Sequence, residues 1–371
     1  MTEAKAQRQG PLLGVRVLEF AGLGPAPFCS MLLADMGADI IRIDRPGQGP
    51  ASRDVTWRGR RSLALDLKRP EDLETCLAAA EKADVLIEGF RPGVMERLGL
   101  GPEQIHARNP RLVYARMTGW GQTGPLAHTA GHDINYIALT GALAEMGIPG
   151  TPPSPPLNLV GDFGGGALYL AFGIVSALLE RTRSSQGQVI DAAIVDGTAS
   201  LMSFFQGISA SGWTEMGRTR NFLAGQAPYY GTYACADGKY VAVGPLEPQF
   251  FAILADKLEL DPTLFENREN PASWPKGREV IAAIFAQRTR DEWCALLEGT
   301  DACFSPVLEL EEAPYHPHMA ARGIYFEQGG VIQPVPAPRF SRTPGEAGEP
   351  PCAAGEGGME ALAEWGVIRR D

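Results

Sequence analysis

Four apolar runs in the first 120 residues constrain the fold more than any other feature of the chain. They are "VRVLEF" (15–20), "ADIIRID" (38–44), "ADVLIEGF" (83–90) and "RLVYARMTGW" (111–120), and each reads as a buried strand. Between them, "FCSMLLADMG", closed by Gly37, and "PEDLETCLAAAEKA" read as helices. The second carries acids early and Lys82 late, the distribution a helix dipole favours. Strands alternating with helices imply an α/β domain with a largely parallel, Rossmann-like sheet.

The pattern changes further along. A Pro-rich loop, "GIPGTPPSPPLN" (147–158), precedes one long helix expected over 162–183 behind a glycine-rich start. "GQVIDAAIVDGTASLMSFF" suits either a strand running into a helix or a single helix. After Asn221, "YYGTYACADGKYVAVGP" reads as a hairpin around the turn "ADGK", and "PQFFAILADKLEL" and "REVIAAIFAQRTRDEWCALLEG" read as helices. The expected organisation is a large domain over 1–200 completed by 325–371, a linker over 201–224, and a smaller α+β domain over 225–324.

Charge narrows the partners. A formal net charge of −11 argues against nucleic acid. Residues 1–100 balance at 14 basic and 14 acidic side chains, so the whole excess of acid falls on the remainder. The nine arginines from Arg42 to Arg97 read either as a solvated face or as a site for a phosphorylated ligand, since guanidinium pairs well with phosphate oxygens. Six scattered cysteines without CxxC or metal spacing fit a reducing, cytoplasmic setting. The polar start "MTEAKAQRQG" does not read as a signal peptide. The apolar run "ALYLAFGIVSALL" is 13 residues, short for a bilayer span, and reads as a buried helix with no membrane role.

Three places carry chemistry. "AGLGPAP" after the first strand, with Asp44 ending the second, imitates a dinucleotide fingerprint, but Pro27 stands where a third glycine belongs. His132, in "AGHDINYIAL", follows Gly131 and opens a helical pattern, where first-turn N–H groups can polarise a carbonyl oxygen. The other four histidines read as structural or surface residues. Asp162, in "NLVGDFGGGALYLAF", is either a helix N-cap or a base placed where three glycines admit a close approach. An imidazole and a carboxylate flanking a ligand make two bases, as inversion α to a carbonyl requires. Glu247, in "VAVGPLEPQF", is either an exposed loop acid or the carboxylate that fixes a histidine tautomer.

With these residues assembled, the chain resembles the family III CoA-transferase superfamily and, within it, the α-methylacyl-CoA racemases. The resemblance covers nearly the whole chain, through "LLADMGADIIRIDRPG", "LDLKRPED", "DVLIEGFRPGVMERLGLGPE", "RLVYARMTGWGQTGP", "PYYGTYACADGKYVAVG" and "HPHMAARGIY". "GHDINY" paired with the aspartate of "GDFGGG" marks the racemase branch. It implies His132 and Asp162 as the acid/base pair on opposite faces of the α-carbon, with Glu247 orienting His132. The backbone N–H of Asp133 would hold the thioester oxygen. CoA would lie along Arg45, Leu65, Lys68, Gly89, Phe90, Arg91 and Arg97. Gly131, Ile134, Asn135 and Tyr136 would stand nearer the pantetheine and thioester. The resemblance further implies an interlocked homodimer sharing each active site, no cofactor beyond the substrate's CoA, and a 2-methyl-branched acyl-CoA substrate. Met146, Met202 and Met216 are candidates for an apolar acyl floor. The superfamily's other chemistry, CoA transfer through an aspartyl-acyl anhydride, is the competing expectation.

Overall fold

The computed structural model describes residues 9–51 and 53–367. It begins with β1 (Arg16–Phe20), α1 (Pro25–Asp35), β2 (Asp39–Asp44), β3 (Arg60–Ala64), α2 (Pro70–Lys82) and β4 (Val85–Glu88). Next come α3 (Val94–Arg97), α4 (Pro102–Arg108), β5 (Val113–Thr118) and α5 (Asp133–Leu139). Wide π-type turns over Leu159–Ala167 run directly into α6 (Leu168–Ser184), followed by β6 (Val189–Ala193) and α7 (Ile194–Leu201). Among the described residues these strands form one parallel sheet in the order β3, β2, β1, β4, β5, β6. The order reverses between β1 and β4, which places a ligand crevice at the carboxyl ends of those strands. Apolar side chains cover both faces: Leu18, Ile41 and Leu86 on one, Val17, Ile40, Val85 and Ile87 on the other.

The remaining elements are α8 (Ser203–Ala210), β7 (Gly231–Ala234), β8 (Tyr240–Val243), α9 (Pro248–Lys257), α10 (Trp274–Phe285), α11 (Arg290–Leu297) and β9 (Phe304–Val307). After them come α12 (Pro317–Ala321), the hairpin β10 (Tyr325–Gln328) and β11 (Val331–Pro334), and α13 (Gly358–Trp365). β7, β8 and β9 form an antiparallel sheet over a core that includes Tyr233, Phe285 and Trp293.

Two compact units emerge. One gathers the chain up to Leu139, Leu157–Leu201 and the chain from Ala320; the other holds Thr140–Pro156 and Met202–Met319. Residues 140–156 therefore group away from the large unit, and the stretch expected to link the domains instead folds as α8 and its sequel within the second. The reason is polar and distant in sequence. Glu145 accepts from the Gly217 N–H (3.0 Å) and from Asn221 Nδ2 (3.1 Å), and Arg218 donates to the carbonyls of Ile148 and Thr151.

The arginine-rich beginning is neither simply solvated nor simply a phosphate site. Arg42, Arg58 and Arg60 are buried and paired with Asp44, Asp35 and Glu19 at 2.7, 2.6 and 2.8 Å. Their charges are already spent on the frame around β2 and β3. The helical run Leu159–Ser184 is also longer than its apolar kernel implied: 26 residues, with a mean hydropathy of 1.5 in its most apolar window. The short-run argument against a membrane span therefore does not hold for the folded helix, although Leu170, Ile174 and Ala177 are buried against the sheet.

Candidate active site

The crevice at the strand reversal gathers the sequence-predicted residues of the large unit, while Glu247 and the three methionines belong to the second unit. The loop leaving β1 reaches Gly24, whose φ of +69° suits glycine and whose added Cβ would stand 3.2 Å from Asp162 Oδ2. The imitation fingerprint thus closes over a carboxylate. Pro27 lies inside α1, and its carbonyl accepts from the buried Arg60 guanidinium.

His132 immediately precedes α5. Its N–H donates to Asn135 Oδ1 (3.0 Å) while its carbonyl accepts from the Asn135 N–H (2.8 Å), which pins the histidine at the helix mouth. Its side chain is exposed. Gly131 does permit a tight approach, by the rings of Tyr136 and Trp120: a Cβ there would fall 2.8 Å from the tyrosine and 3.0 Å from the tryptophan. Those two rings meet edge to face at 4.7 Å, and the Tyr136 hydroxyl donates to the Gly131 carbonyl. Ile134 and Asn135 remain exposed beside them.

Asp162 is not a helix N-cap. The helix starts at Leu159, with Asn158 as its cap, so Asp162 sits within the wide turns. The cause is crowding. A Cβ at Gly165 would fall 2.4 Å from Thr198 Oγ1, and one at Gly197 only 1.8 Å from the Gly165 carbonyl oxygen, so α7 lies directly on this segment. Phe163 stacks on Phe28 of α1 at 4.4 Å, and Asn158 Nδ2 donates to Asp162 Oδ2 (3.4 Å). Burial pushes the Asp162 carboxyl up, the Asn158 bond opposes that, the neighbouring Asp133 adds to it, and His132 opposes it. A carboxyl group raised above its ordinary range by burial, within electrostatic reach of an imidazole, suits proton exchange with a carbon acid.

The residues expected along CoA fall at the same edge of the sheet. Arg45 follows β2, Leu65 and Lys68 follow β3, and Gly89, Phe90 and Arg91 follow β4, with Arg97 ending α3. Arg45, Lys68, Arg91 and Arg97 are exposed, whereas Leu65 is buried. Glu247 belongs to the second unit. It is exposed at the N-cap position of α9, makes no side-chain capping bond there, and lines a cavity of about 1010 Å³ with Trp213, Phe222 and Arg268. Met146, Met202 and Met216 are half-buried in the same unit.

The model for CoA-transferase family III matches residues 12–357. The chain belongs to CoA-transferase family III. The α-methylacyl-CoA racemase of Mus musculus is 48% identical over 362 residues, covering 97% of this chain and 94% of that protein. The α-methylacyl-CoA racemase of Homo sapiens is 45% identical over 364 residues with the same coverage of both. Among solved structures, a CaiB/BaiF family protein from Brucella suis superposes with a TM-score of 0.82 at 26% identity, covering 96% of this chain and all of that one.

Two contributions to this family III site were missed in the sequence. One is the side chain of Asp133, which had been read only for its backbone. The other is Glu88, the last residue of β4, which is 2% exposed. Glu88 Oε2 accepts from the Phe90 N–H (2.8 Å), and Oε1 faces Arg116 Nε at 3.3 Å across β4 and β5. Arg116 also pairs with Glu96 of α3. The acid therefore ties the Gly89–Phe90 turn to the segment carrying Arg97. The available signal was an acid closing an otherwise apolar run, "VLIE", just before a glycine.

Burial pushes the Glu88 carboxyl up to about 7, against the Phe90 bond and Arg116 and with some help from Glu96 and Asp191. Unfolded, it titrates near 4.5, so between 4.5 and 7 the folded chain holds the extra proton. Stability from this group is fully present below 4.5 and is lost as pH rises through 7, by roughly 3 kcal/mol. Glu88→Gln is expected to flatten that decline in urea denaturation at pH 5 and pH 8. An unchanged slope in the variant would remove Glu88 as its source.

Proposed function

We propose that the chain is an α-methylacyl-CoA racemase, an isomerase that inverts C2 of 2-methyl-branched acyl-CoA thioesters by transferring a proton between two bases. The observation that carries this reading is the contact between the two motif segments. Asp133, next to His132, accepts the Asp162 N–H at 2.6 Å, and this bond between the two segments supports reading the imidazole and the carboxylate as a pair. The high identity to proteins named racemases supports the same reading.

One base removes the α-proton from C2 and the carbon flattens into an enolate. N–H groups in the first turn of α5, that of Asp133 foremost, stabilise the charge gathering on the thioester oxygen, with about 2.7–4 kcal/mol for one such donor. The other base, already protonated, delivers its proton to the opposite face. Substrate and product differ only in configuration, and the pair ends each turnover with its single proton on the other member. The scheme uses no cofactor beyond the CoA of the substrate.

The proposal extends to a homodimer in which Glu247 of one chain orients His132 of the other. Leu168, Phe172, Val175 and Leu179 form an exposed apolar stripe on α6, which a second copy covers in preference to lipid. Sedimentation is expected to give the mass of two chains. A cytoplasmic setting belongs to the same reading, and all six cysteines are free thiols.

The direct test is proton NMR of one pure epimer of 2-methyloctanoyl-CoA with the protein in D₂O. Loss of the α-proton signal with appearance of the other epimer is the expected result. If there is no exchange, and CoA is instead transferred to an added free acid, the chain is a transferase.

A further inference from the structure

We propose that the side-chain carboxylate of Asp133 is a positioning group that holds open the wide turn carrying Asp162 and thereby fixes that base relative to His132. The proposal rests on the reading of His132 and Asp162 as the two bases, and goes beyond it in giving the neighbouring side chain a task of its own.

The hydrogen bonding of the turn makes the case. The backbone ladder starts with the Phe163 N–H donating to the Asn158 carbonyl (3.2 Å), a five-residue step. In an ordinary α-helical start, the Asp162 N–H would take that carbonyl. The wider step leaves the Asp162 N–H over, in a part-buried place where an unpaired donor is costly. Asp133 Oδ1 accepts it at 2.6 Å. Asp133 is 9% exposed, so this bond is sheltered from water. Negative charge against the first turn of a helix is favourable as well.

The space for this contact is specific. A Cβ on Gly161 would stand 2.2 Å from Asp133 Oδ1, so only glycine lets the carboxylate reach the backbone. Because Asp133 directly follows His132, one residue and one hydrogen bond join the main chain of the first base to that of the second. The other carboxylate oxygen, Oδ2, is buried without a hydrogen-bond partner among the described residues. Without the carboxylate, the ordinary α-helical acceptor for the Asp162 N–H is the Asn158 carbonyl. Taking it would tighten the turn and swing the Asp162 side chain away from its place over Gly24.

The experiment uses the full chain and 2-methyloctanoyl-CoA, with kcat and KM for epimerisation measured for Asp133→Ala, Asp133→Asn and Gly161→Ala. A displacement near 1 Å in a catalytic group costs about 10²-fold. Asp133→Ala is therefore expected to lose about 10²-fold in kcat, with KM within about threefold, since the backbone N–H at position 133 remains. Asp133→Asn keeps an acceptor oxygen and is expected to stay within about tenfold of the parent, the weaker neutral bond accounting for the difference. Gly161→Ala, which displaces the carboxylate sterically, is expected to match Asp133→Ala. Circular dichroism and thermal midpoints establish that each variant is folded.

A kcat for Asp133→Ala within about threefold of the parent would overturn the proposal. If that variant does not fold, loss of turnover in Gly161→Ala with retention in Asp133→Asn supports it, and the reverse pattern overturns it. Full exchange in His132→Ala and Asp162→Ala would instead sink the two-base reading, a result separable from any failure of the clamp.

Discussion

Asp162→Ala and His132→Ala are each expected to stop epimerisation, by about 10²–10⁴-fold or more, yet each should leave α-proton exchange on one epimer only. The asymmetry follows from the two faces of C2. When one base is removed, the other still takes the proton on its own side and returns deuterium there with retention. The epimer whose proton points at the missing base becomes inert. Both pure epimers of 2-methyloctanoyl-CoA in D₂O, followed by proton NMR, give the four rates needed. Exchange of both epimers by a single variant would mean one base serves both faces and would end the two-base scheme. A transferase gives another pattern. There Asp162 attacks the thioester carbonyl and expels the CoA thiolate, so Asp162→Ala kills transfer while His132→Ala spares it.

Much of the sheet was legible because its strands are apolar on both faces. β1, β2, β4 and β5 all lie within the four runs. β3 was not legible, because its sequence "RRSLA" looks like surface. Arg60 is buried there with its charge met by Glu19, a partner 41 residues away, and no local pattern carries that pairing. The ambiguous stretch after residue 187 resolves as strand into helix, β6 into α7, once β5 is present to pair with it. The long helix begins earlier than expected because glycines that should weaken an α-helix instead allow wide turns against α7.

The site divides along the same line. His132 stood out because it follows Gly131 at the start of a helical pattern, and Asp162 because three glycines follow it where an ordinary helix start needs none. Asp133 and Glu88 act through contacts, respectively across 29 residues of sequence to the Asp162 N–H and sideways to the neighbouring strand. An acid beside a histidine or at the end of a strand looks the same whether it is solvated or holding a backbone in place. Only the fold separates the two cases.

The close approach of α7 to the Asp162 segment makes a second large effect predictable. Gly197→Ala would place a Cβ 1.8 Å from the Gly165 carbonyl oxygen and 2.9 Å from the Gly165 Cα, where only backbone is available to yield. Overpacking that flexible side chains can absorb costs about 1–3 kcal/mol, so a clash with main chain is expected to reach at least about 3 kcal/mol. The part that must move carries Asp162, so turnover should fall along with the denaturation midpoint. Gly207→Ala in α8 is the matched control. It has the same change of chemistry and helical backbone, but nothing lies within 4 Å of the added Cβ. Without a clash, the lower chain entropy and better helix propensity of alanine should raise stability by about 0.5–1 kcal/mol. Opposite signs at the two positions, read by chemical denaturation with turnover measured alongside, would show that contact at Gly165, and not glycine content as such, sets the cost. A small loss at Gly197 with unchanged turnover would mean that α7 can retreat without moving Asp162, and that the wide turn is held from the Asp133 side alone.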